Sequence, residues 1–124
     1  MGSQSEGLKT RTRQFALEVM ELVDHLPRDE STRHISRQLV RSANSVAANY
    51  RAACRSRSRA EFVAKIGVVA EEADETAHWL DLLAARGCDP RATVQKLLAE
   101  AHQVEAIFSA SLGTARRNLA RARV

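Results

Sequence analysis

The sequence predicts an all-α protein, an elongated antiparallel four-helix bundle with up-down-up-down topology. Hydrophobic residues make up 44% of the 124 residues and are mostly Ala, Leu and Val, whereas aromatic residues make up only 4%. Five glycines and two prolines are too few for the many turns of a β protein. Apolar residues recur at steps of three and four through four segments with short connections, which is typical of such a bundle.

The bundle is predicted to begin at about Leu8. Residues 1–7 are small and polar, and we expect them to form a disordered N-terminal tail. The first helix then continues to about His25, because its apolar residues recur at steps of three and four. It ends at Leu26-Pro27, since a proline forces the residue before it out of the α conformation.

The second helix is predicted over about residues 30–55, with Ser31 or Thr32 as its N-cap. Its core face includes the polar residue Ser42, and Asn49 lies at the margin of that face. A half-buried Asn needs hydrogen-bond partners, so we expect Asn49 to bond to a neighbouring helix or to fix the register. A contact to a ligand is the alternative. The opposite face has arginines at helical spacing: Arg37, Arg41, Arg51 and Arg55.

The third helix is predicted over about residues 59–86. Ser58 and Glu61 form a capping box before it. Its core stripe contains Phe62, Ile66, Val69, Ala73, Thr76, Leu80 and Leu83. A second stripe mixes acids with large apolar groups, which the solvent face of a monomer does not need; its members are Val68, Glu72, Glu75, Trp79 and Leu82.

The third helix is expected to end at Gly87, which suits a left-handed cap. Asp89 as N-cap and Pro90 at the first helical position then predict a fourth helix that continues to about Gly113. The bundle domain therefore covers residues 8–113. Residues 114–124 contain four arginines and no acid, and form either a basic tail or an extension of the helix.

The sequence contains little that favours catalysis. Glu75 and His78 match half of the di-iron signature of ferritin-like bundles, but the chain has one such pair, and both residues point away from the predicted core. The other histidines are isolated, and the glycines form no phosphate-binding loop. We therefore predict no enzyme, no metal site and no cofactor.

The sequence also predicts a cytoplasmic protein with no membrane partner. No apolar run approaches the roughly 20 residues that cross a bilayer, and the N-terminus lacks a secretory signal. Cys54 and Cys88 lack CxxC spacing and are interpreted as reduced residues.

Arginines are the strongest candidates for a binding surface. The four on the second helix are followed by two in the turn, and the basic C-terminal segment adds more: the candidates for nucleic-acid binding are Arg37, Arg41, Arg51, Arg55, Arg57, Arg59, Arg116 and Arg117. Guanidinium groups suit phosphate and carboxylate equally. Three interpretations stay open: a solvated face, a contact with an acidic stripe of another subunit, and a phosphate-binding surface. Because aromatic residues are nearly absent from this face, nucleic-acid binding would be salt-sensitive and weakly sequence-specific.

The acidic and apolar stripe of the third helix is the candidate oligomer interface. A large Trp flanked by Leu and acids is a typical interface anchor. The basic and acidic edges are different but complementary surfaces, and such a heterologous pairing can close into a ring. We therefore expect Trp79→Ala and Glu75→Arg to shift a homo-oligomer toward monomer.

Several short motifs occur in order between about Phe15 and Leu83. They are Leu26-Pro27, Glu30, Gln38-Leu39-Val40-Arg41-Ser42-Ala43, Ser45-Val46, Asn49, Ser58, Glu61-Phe62 and Glu71-Glu72. In this order they resemble the four-helix-bundle family of proteins encoded in intervening sequences of large-subunit (23S) ribosomal RNA. The chain departs from the N-I-A-E-G of many members, since it has Asn49-Tyr50-Arg51-Ala52-Ala53 at that place.

The resemblance implies a left-handed antiparallel four-helix bundle that is often a homopentamer. A related bundle, the accessory protein of diversity-generating retroelements, is a basic pentameric ring that binds a reverse transcriptase and nucleic acid. The resulting expectation is a non-enzymatic, self-associating bundle that binds RNA or a nucleic-acid-processing protein through its arginines. The alternative is a protein-interaction scaffold with no role in nucleic-acid binding.

Overall fold

A computed structural model describes residues 2–122, which form four α-helices and no strand. The helices are α1 (Gly2–Asp24), α2 (Glu30–Ala53), α3 (Arg59–Ala85) and α4 (Arg91–Ala122). α2 packs against α1 and α3, and α4 packs against α3 and α1, so the four helices close into a bundle. The α1–α4 interface is the smallest of the four. The predicted all-α four-helix bundle is confirmed.

The outer end of α1 differs from the sequence prediction, whereas the outer end of α4 agrees with one of its two predicted alternatives. α1 begins at Gly2, so residues 2–7 continue the helix where a tail was expected, and Met1 lies outside the described residues. An ion pair between Glu6 and Lys9, one helical turn apart, stabilises this extension. α4 likewise continues through Gly113 to Ala122, with Ala115 buried, so residues 114–122 form a helix extension. Residues 123 and 124 are outside the described range.

Two helix N-termini show which capping signals are reliable. Ser58 caps α3 as predicted, because its side chain accepts a hydrogen bond of 3.1 Å from the Glu61 N–H. The prediction for α2 was wrong: its N-cap is Asp29, whose carboxylate accepts from the Thr32 N–H at 3.1 Å. Asp29 has extended backbone angles and so can act as a cap, whereas Ser31 and Thr32 are already helical.

Gly87 ends α3 in the left-handed conformation, with φ of 69°, as predicted. The Cys88 N–H donates to the Leu83 carbonyl and the Gly87 N–H donates to the Ala84 carbonyl, which together form a Schellman motif. α4 then begins at Arg91, one residue later than predicted. The carbonyl of Pro90 accepts from the Val94 N–H, so the proline precedes the first helical residue.

The core consists of two clusters stacked along the bundle. The first lies near the α1–α2 and α3–α4 connections and includes Leu39, Leu80 and Leu97. The second lies toward the α2–α3 connection and the outer ends of α1 and α4, where Tyr50 packs on Phe108 with ring centroids 5.0 Å apart. Cys88 belongs to the first cluster and Cys54 packs on the second, so both cysteines are free and far apart along the bundle.

Two polar groups inside the bundle find hydrogen-bond partners in different ways. Thr76 and Ser42, both buried, join α3 to α2 with their hydroxyl oxygens 2.9 Å apart. Asn49 was expected to bond to a neighbouring helix or to fix the register. The structure shows no bond to a neighbouring helix among the described residues: its amide donates to the backbone carbonyl and the hydroxyl of Ser45, one turn earlier on α2. Within residues 2–122, no helix is long and apolar enough to cross a membrane.

Candidate nucleic-acid interface

The charges of the chain are divided unequally between the two ends of the bundle. Residues 2–13, 44–68 and 103–122 surround the second core cluster, and we call them the basic end. They contain eleven Lys and Arg residues but only three acids. Residues 14–43 and 69–102, which we call the acidic half, contain seven Lys and Arg residues and twelve acids. Although the net charge is only +4, positive and negative side chains are strongly separated along the bundle.

Most cations of the basic end are free. Lys9 pairs with Glu6, Lys65 with Glu61, and Arg11 with Glu100 between α1 and α4 at 2.8 Å. The other eight have exposed side chains and no described carboxylate within ion-pair distance: Arg13, Arg51, Arg55, Arg57, Arg59, Arg116, Arg117 and Arg121. Eight unpaired guanidinium groups at one end of a small bundle produce a strong positive potential there.

A shallow groove of about 580 Å³ between α1 and α2 brings cations from two helices together. Lys9 and Arg13 lie on its α1 side, and Arg51 and Arg55 lie on its α2 side. Small side chains, among them those of Ala47 and Ala48, leave the groove open between these longer ones. Glu6 is the one acid in its wall, and that carboxylate is paired with Lys9.

The arginine stripe predicted on α2 is divided by the structure. Arg51 and Arg55 belong to the basic end, together with Arg57 and Arg59 of the following turn. Arg41 lies in the acidic half and forms ion pairs with Glu72, at 3.2 Å, and with Glu75 on α3. The hydrogen bond to Glu75 raises the pKa of Arg41 and, reciprocally, lowers the pKa of Glu75.

The remaining candidate arginines are also divided between the two ends of the bundle. Arg37 is exposed in the acidic half. Arg116 and Arg117 are exposed on the last turns of α4, at the basic end as defined above. Lys9 and Arg13 were not among the candidates for nucleic-acid binding from the sequence. Their position opposite Arg51 and Arg55 depends on the antiparallel register of α1 and α2, which the sequence pattern does not give.

The second stripe of α3 is only partly exposed. Val68 is 40% exposed, but Trp79 and Leu82 are half-buried and pack against the first core cluster. The indole N–H of Trp79 donates to Glu75 at 3.2 Å, and its ring meets those of His34 and His78 edge-on. Two acids of this stripe, Glu72 and Glu75, already have Arg41 of their own chain as a partner.

Glu75 and His78, which match half of the di-iron signature, contact other side chains of the same chain. The carboxylate of Glu75 accepts hydrogen bonds from Arg41 and Trp79, and the ring of His78 lies 4.9 Å from that of Trp79. Among residues 2–122, no three His, Cys, Asp or Glu side chains are grouped so as to bind a metal ion.

Comparison with known proteins identifies similar chains. The family model described as 23S rRNA-intervening sequence protein matches residues 8–110, which confirms the resemblance seen in the sequence. A search of curated proteins finds no match. The crystal structure of a protein with unknown function, from the S23 ribosomal protein family of Bacteroides thetaiotaomicron, is similar with a TM-score of 0.76 and 25% sequence identity. The alignment covers 88% of this chain and 97% of that one.

Proposed function

This chain belongs to the 23S rRNA-intervening sequence protein family, and from that premise we propose that it binds RNA through its basic end. The observation that carries the proposal is the separation of charge, with eleven cations and three acids at that end. Binding is to the sugar-phosphate backbone, because the groove between α1 and α2 has arginines and a lysine but no aromatic side chain.

The arginines of the basic end that have no ion-pair partner within the described residues are available to bind phosphate. A guanidinium fork binds phosphate oxygens bidentately, and release of the counterions condensed on RNA drives the association. Arg51 and Arg55 extend from one face of α2 beside Arg13 of α1, so several phosphates of one strand can be met at once. The proposed function is non-enzymatic. We place it in the cytoplasm, where the separated Cys54 and Cys88 stay reduced.

The test is RNA binding by two charge-matched double variants. Arg51→Glu/Arg55→Glu reverses two cations of the basic end, and Arg33→Glu/Arg37→Glu reverses two exposed arginines at the same spacing in the acidic half of the same helix. Binding of a labelled blunt RNA duplex is measured by fluorescence anisotropy over a range of salt concentrations. A DNA duplex of the same sequence shows whether the ribose matters.

We expect the Arg51/Arg55 variant to bind more than about tenfold more weakly. Its plot of log affinity against log salt concentration should flatten by roughly 0.7–0.9 for each phosphate that the variant no longer neutralises. The Arg33/Arg37 variant should retain most of the affinity. Equal weakening in both variants would show that net charge alone matters and would refute a defined interface. Absence of binding by the wild type at low salt would leave the scaffold function as the explanation.

We also propose that the chain forms a homo-oligomer, a pentamer by the family resemblance, through the outer face of α3. The supporting observation is the 40% exposure of Val68, one of two large hydrophobic side chains that are exposed within residues 2–122. Val68→Lys should shift the molar mass measured by light scattering toward monomer. Glu75→Arg is less suitable, since it also breaks an ion pair within the chain. An unchanged mass for both Val68→Lys and Trp79→Ala would remove this interface.

A further inference from the structure

A cavity of about 910 Å³ opens at the basic end, between the start of α1, the α2–α3 connection and the last turns of α4. Its volume lies within the range of roughly 300–1,000 Å³ that is typical of small-molecule sites. Phe62, Ile66 and Ile107 give it an apolar floor. The groove described above is a separate feature, because it opens between α1 and α2 and shares no lining residue with the cavity.

The cavity wall has polar groups but no acid. Arg57 and Arg59 are its charged residues, and neither has a described ion-pair partner. Hydroxyl and amide side chains, such as those of Ser111 and Asn118 on α4, supply neutral donors and acceptors. The hydroxyl of Ser56, which also lines the cavity, is buried and makes no hydrogen bond within the described residues.

We propose that this cavity takes the base of an unpaired nucleotide of bound RNA, while Arg57 and Arg59 hold its phosphate. The proposal rests on the RNA binding proposed above and adds that the basic end recognises an unpaired nucleotide of that RNA. It requires RNA with an unpaired terminal or bulged nucleotide, because a base inside a duplex cannot enter a cavity.

The mixed lining is what favours a base over another anionic ligand. A nucleobase has flat apolar faces, which suit the Phe62 and Ile66 floor, and polar edges, which suit hydroxyl and amide groups. An alkyl chain in the same place would leave those hydroxyl and amide groups without hydrogen-bond partners, which is unfavourable. Tyr50 also lines the cavity, and its hydroxyl stays protonated, since burial raises the pKa of Tyr50 to about 12, with a further contribution from nearby Cys54.

The experiment compares two RNAs on the wild-type chain and its variants. One RNA is a blunt duplex, and the other is the same duplex with one unpaired 3′ nucleotide. Ala110→Phe fills the cavity without changing charge, because Ala110 lines it and is exposed. Ala99→Phe is the matched control, since Ala99 is exposed on the same helix but lies in the acidic half. Circular dichroism establishes that each variant is folded.

We expect the wild type to bind the RNA with the unpaired nucleotide at least about fivefold more tightly than the blunt duplex, as stacking of one base in a protein site provides. Ala110→Phe should lose this preference and keep its affinity for the blunt duplex, whereas Ala99→Phe should keep both. Arg59→Gln, which leaves the cavity intact, should reduce the preference.

The possible failures are distinguishable. Equal binding of both RNAs by the wild type would overturn the nucleotide site while leaving RNA binding in place. A preference that survives in folded Ala110→Phe would overturn it too, because the unpaired nucleotide would then lie elsewhere. No binding of either RNA would refute the proposed function itself.

Discussion

Replacing Ser42 by alanine removes one half of a buried hydroxyl pair that joins α2 to α3. Ser42 and Thr76 are 0% and 1% exposed, so water cannot replace a missing partner. The Thr76 hydroxyl lies 2.9 Å from the Ser42 hydroxyl and 2.7 Å from the Glu72 carbonyl, and the Ser42 hydroxyl lies 3.2 Å from the Leu39 carbonyl. The two hydroxyls have two protons for these three interactions, and each has a backbone carbonyl in reach.

The expected magnitude follows from the hydrogen bonds that remain after each substitution. In Ser42→Ala the Thr76 hydroxyl still donates to the Glu72 carbonyl, so no buried donor is left unpaired. The free energy of unfolding should therefore fall by about 1 kcal/mol, the net value of one hydrogen bond, and not by the larger penalty of an unsatisfied group. Thr76→Val preserves side-chain shape and should have a similar effect. The double variant loses the shared bond only once, so the coupling energy should be about 1 kcal/mol.

Urea unfolding followed by circular dichroism measures these differences, with an unchanged slope of free energy against urea concentration as the sign that the same fold is being compared. Ser109→Ala, an exposed serine on α4, is the control and should change stability little. A decrease of about 3 kcal/mol in Ser42→Ala would mean that a donor is left unpaired, and a coupling energy near zero would mean that the two hydroxyls are not partners. Either result would refute the reasoning.

Two further predictions concern single residues. Gly87→Ala should reduce the free energy of unfolding by about 1–2 kcal/mol, because φ of 69° is unfavourable for a residue with a Cβ atom; thermal unfolding measures the change, and Gly7→Ala is the control, because a Cβ there meets no atom within 4 Å. Glu75→Gln should make the free energy of unfolding depend less on pH in the acidic range. Since the ion pair with Arg41 lowers the folded-state pKa of Glu75, its contribution is complete above the ordinary glutamate pKa and disappears as pH falls through the lowered value. The glutamate side chain is 34% exposed, so the difference between variant and wild type should stay below about 1 kcal/mol; a larger difference, or one that grows in acid, would contradict the argument.

Local signals in the sequence predicted the elements that depend on local structure. Ser58 caps α3 and Gly87 ends it, because each acts through backbone groups within a few residues. The cap of α2 was misassigned since Asp, Ser and Thr are all good caps, and only the backbone conformation at Asp29 decides among them. The outer ends of α1 and α4 are mostly exposed, and the sequence pattern did not fix where they end, because few of their residues belong to the apolar face of a helix. Ala115 is the buried exception on the last turns of α4.

The candidate site was predictable in composition but not in shape. The excess of arginine at the α2–α3 turn and at the C-terminus is visible in the chain, and both groups were among the candidates from the sequence. The groove needs Arg13 opposite Arg51, and that arrangement follows from the register of two antiparallel helices. Arg41 was a candidate for nucleic-acid binding because its spacing places it on the arginine stripe. In the folded chain the same position lies next to α3, where Arg41 binds the carboxylates of Glu72 and Glu75.

The polarised charge links the two proposals, because any cyclic oligomer places its basic ends in equivalent positions. In a ring whose neighbouring basic ends lie close together, their repulsion opposes assembly at low salt. RNA bound across neighbouring basic ends would neutralise that repulsion, and by reciprocity RNA and assembly should then favour each other. We expect a blunt RNA duplex at low salt to raise the protein mass in the complex measured by light scattering, and expect the Arg51→Glu/Arg55→Glu variant to assemble without RNA at salt concentrations where the wild type does not. An oligomer whose mass is independent of both salt and RNA would show that the basic ends lie too far apart in the assembly to repel one another.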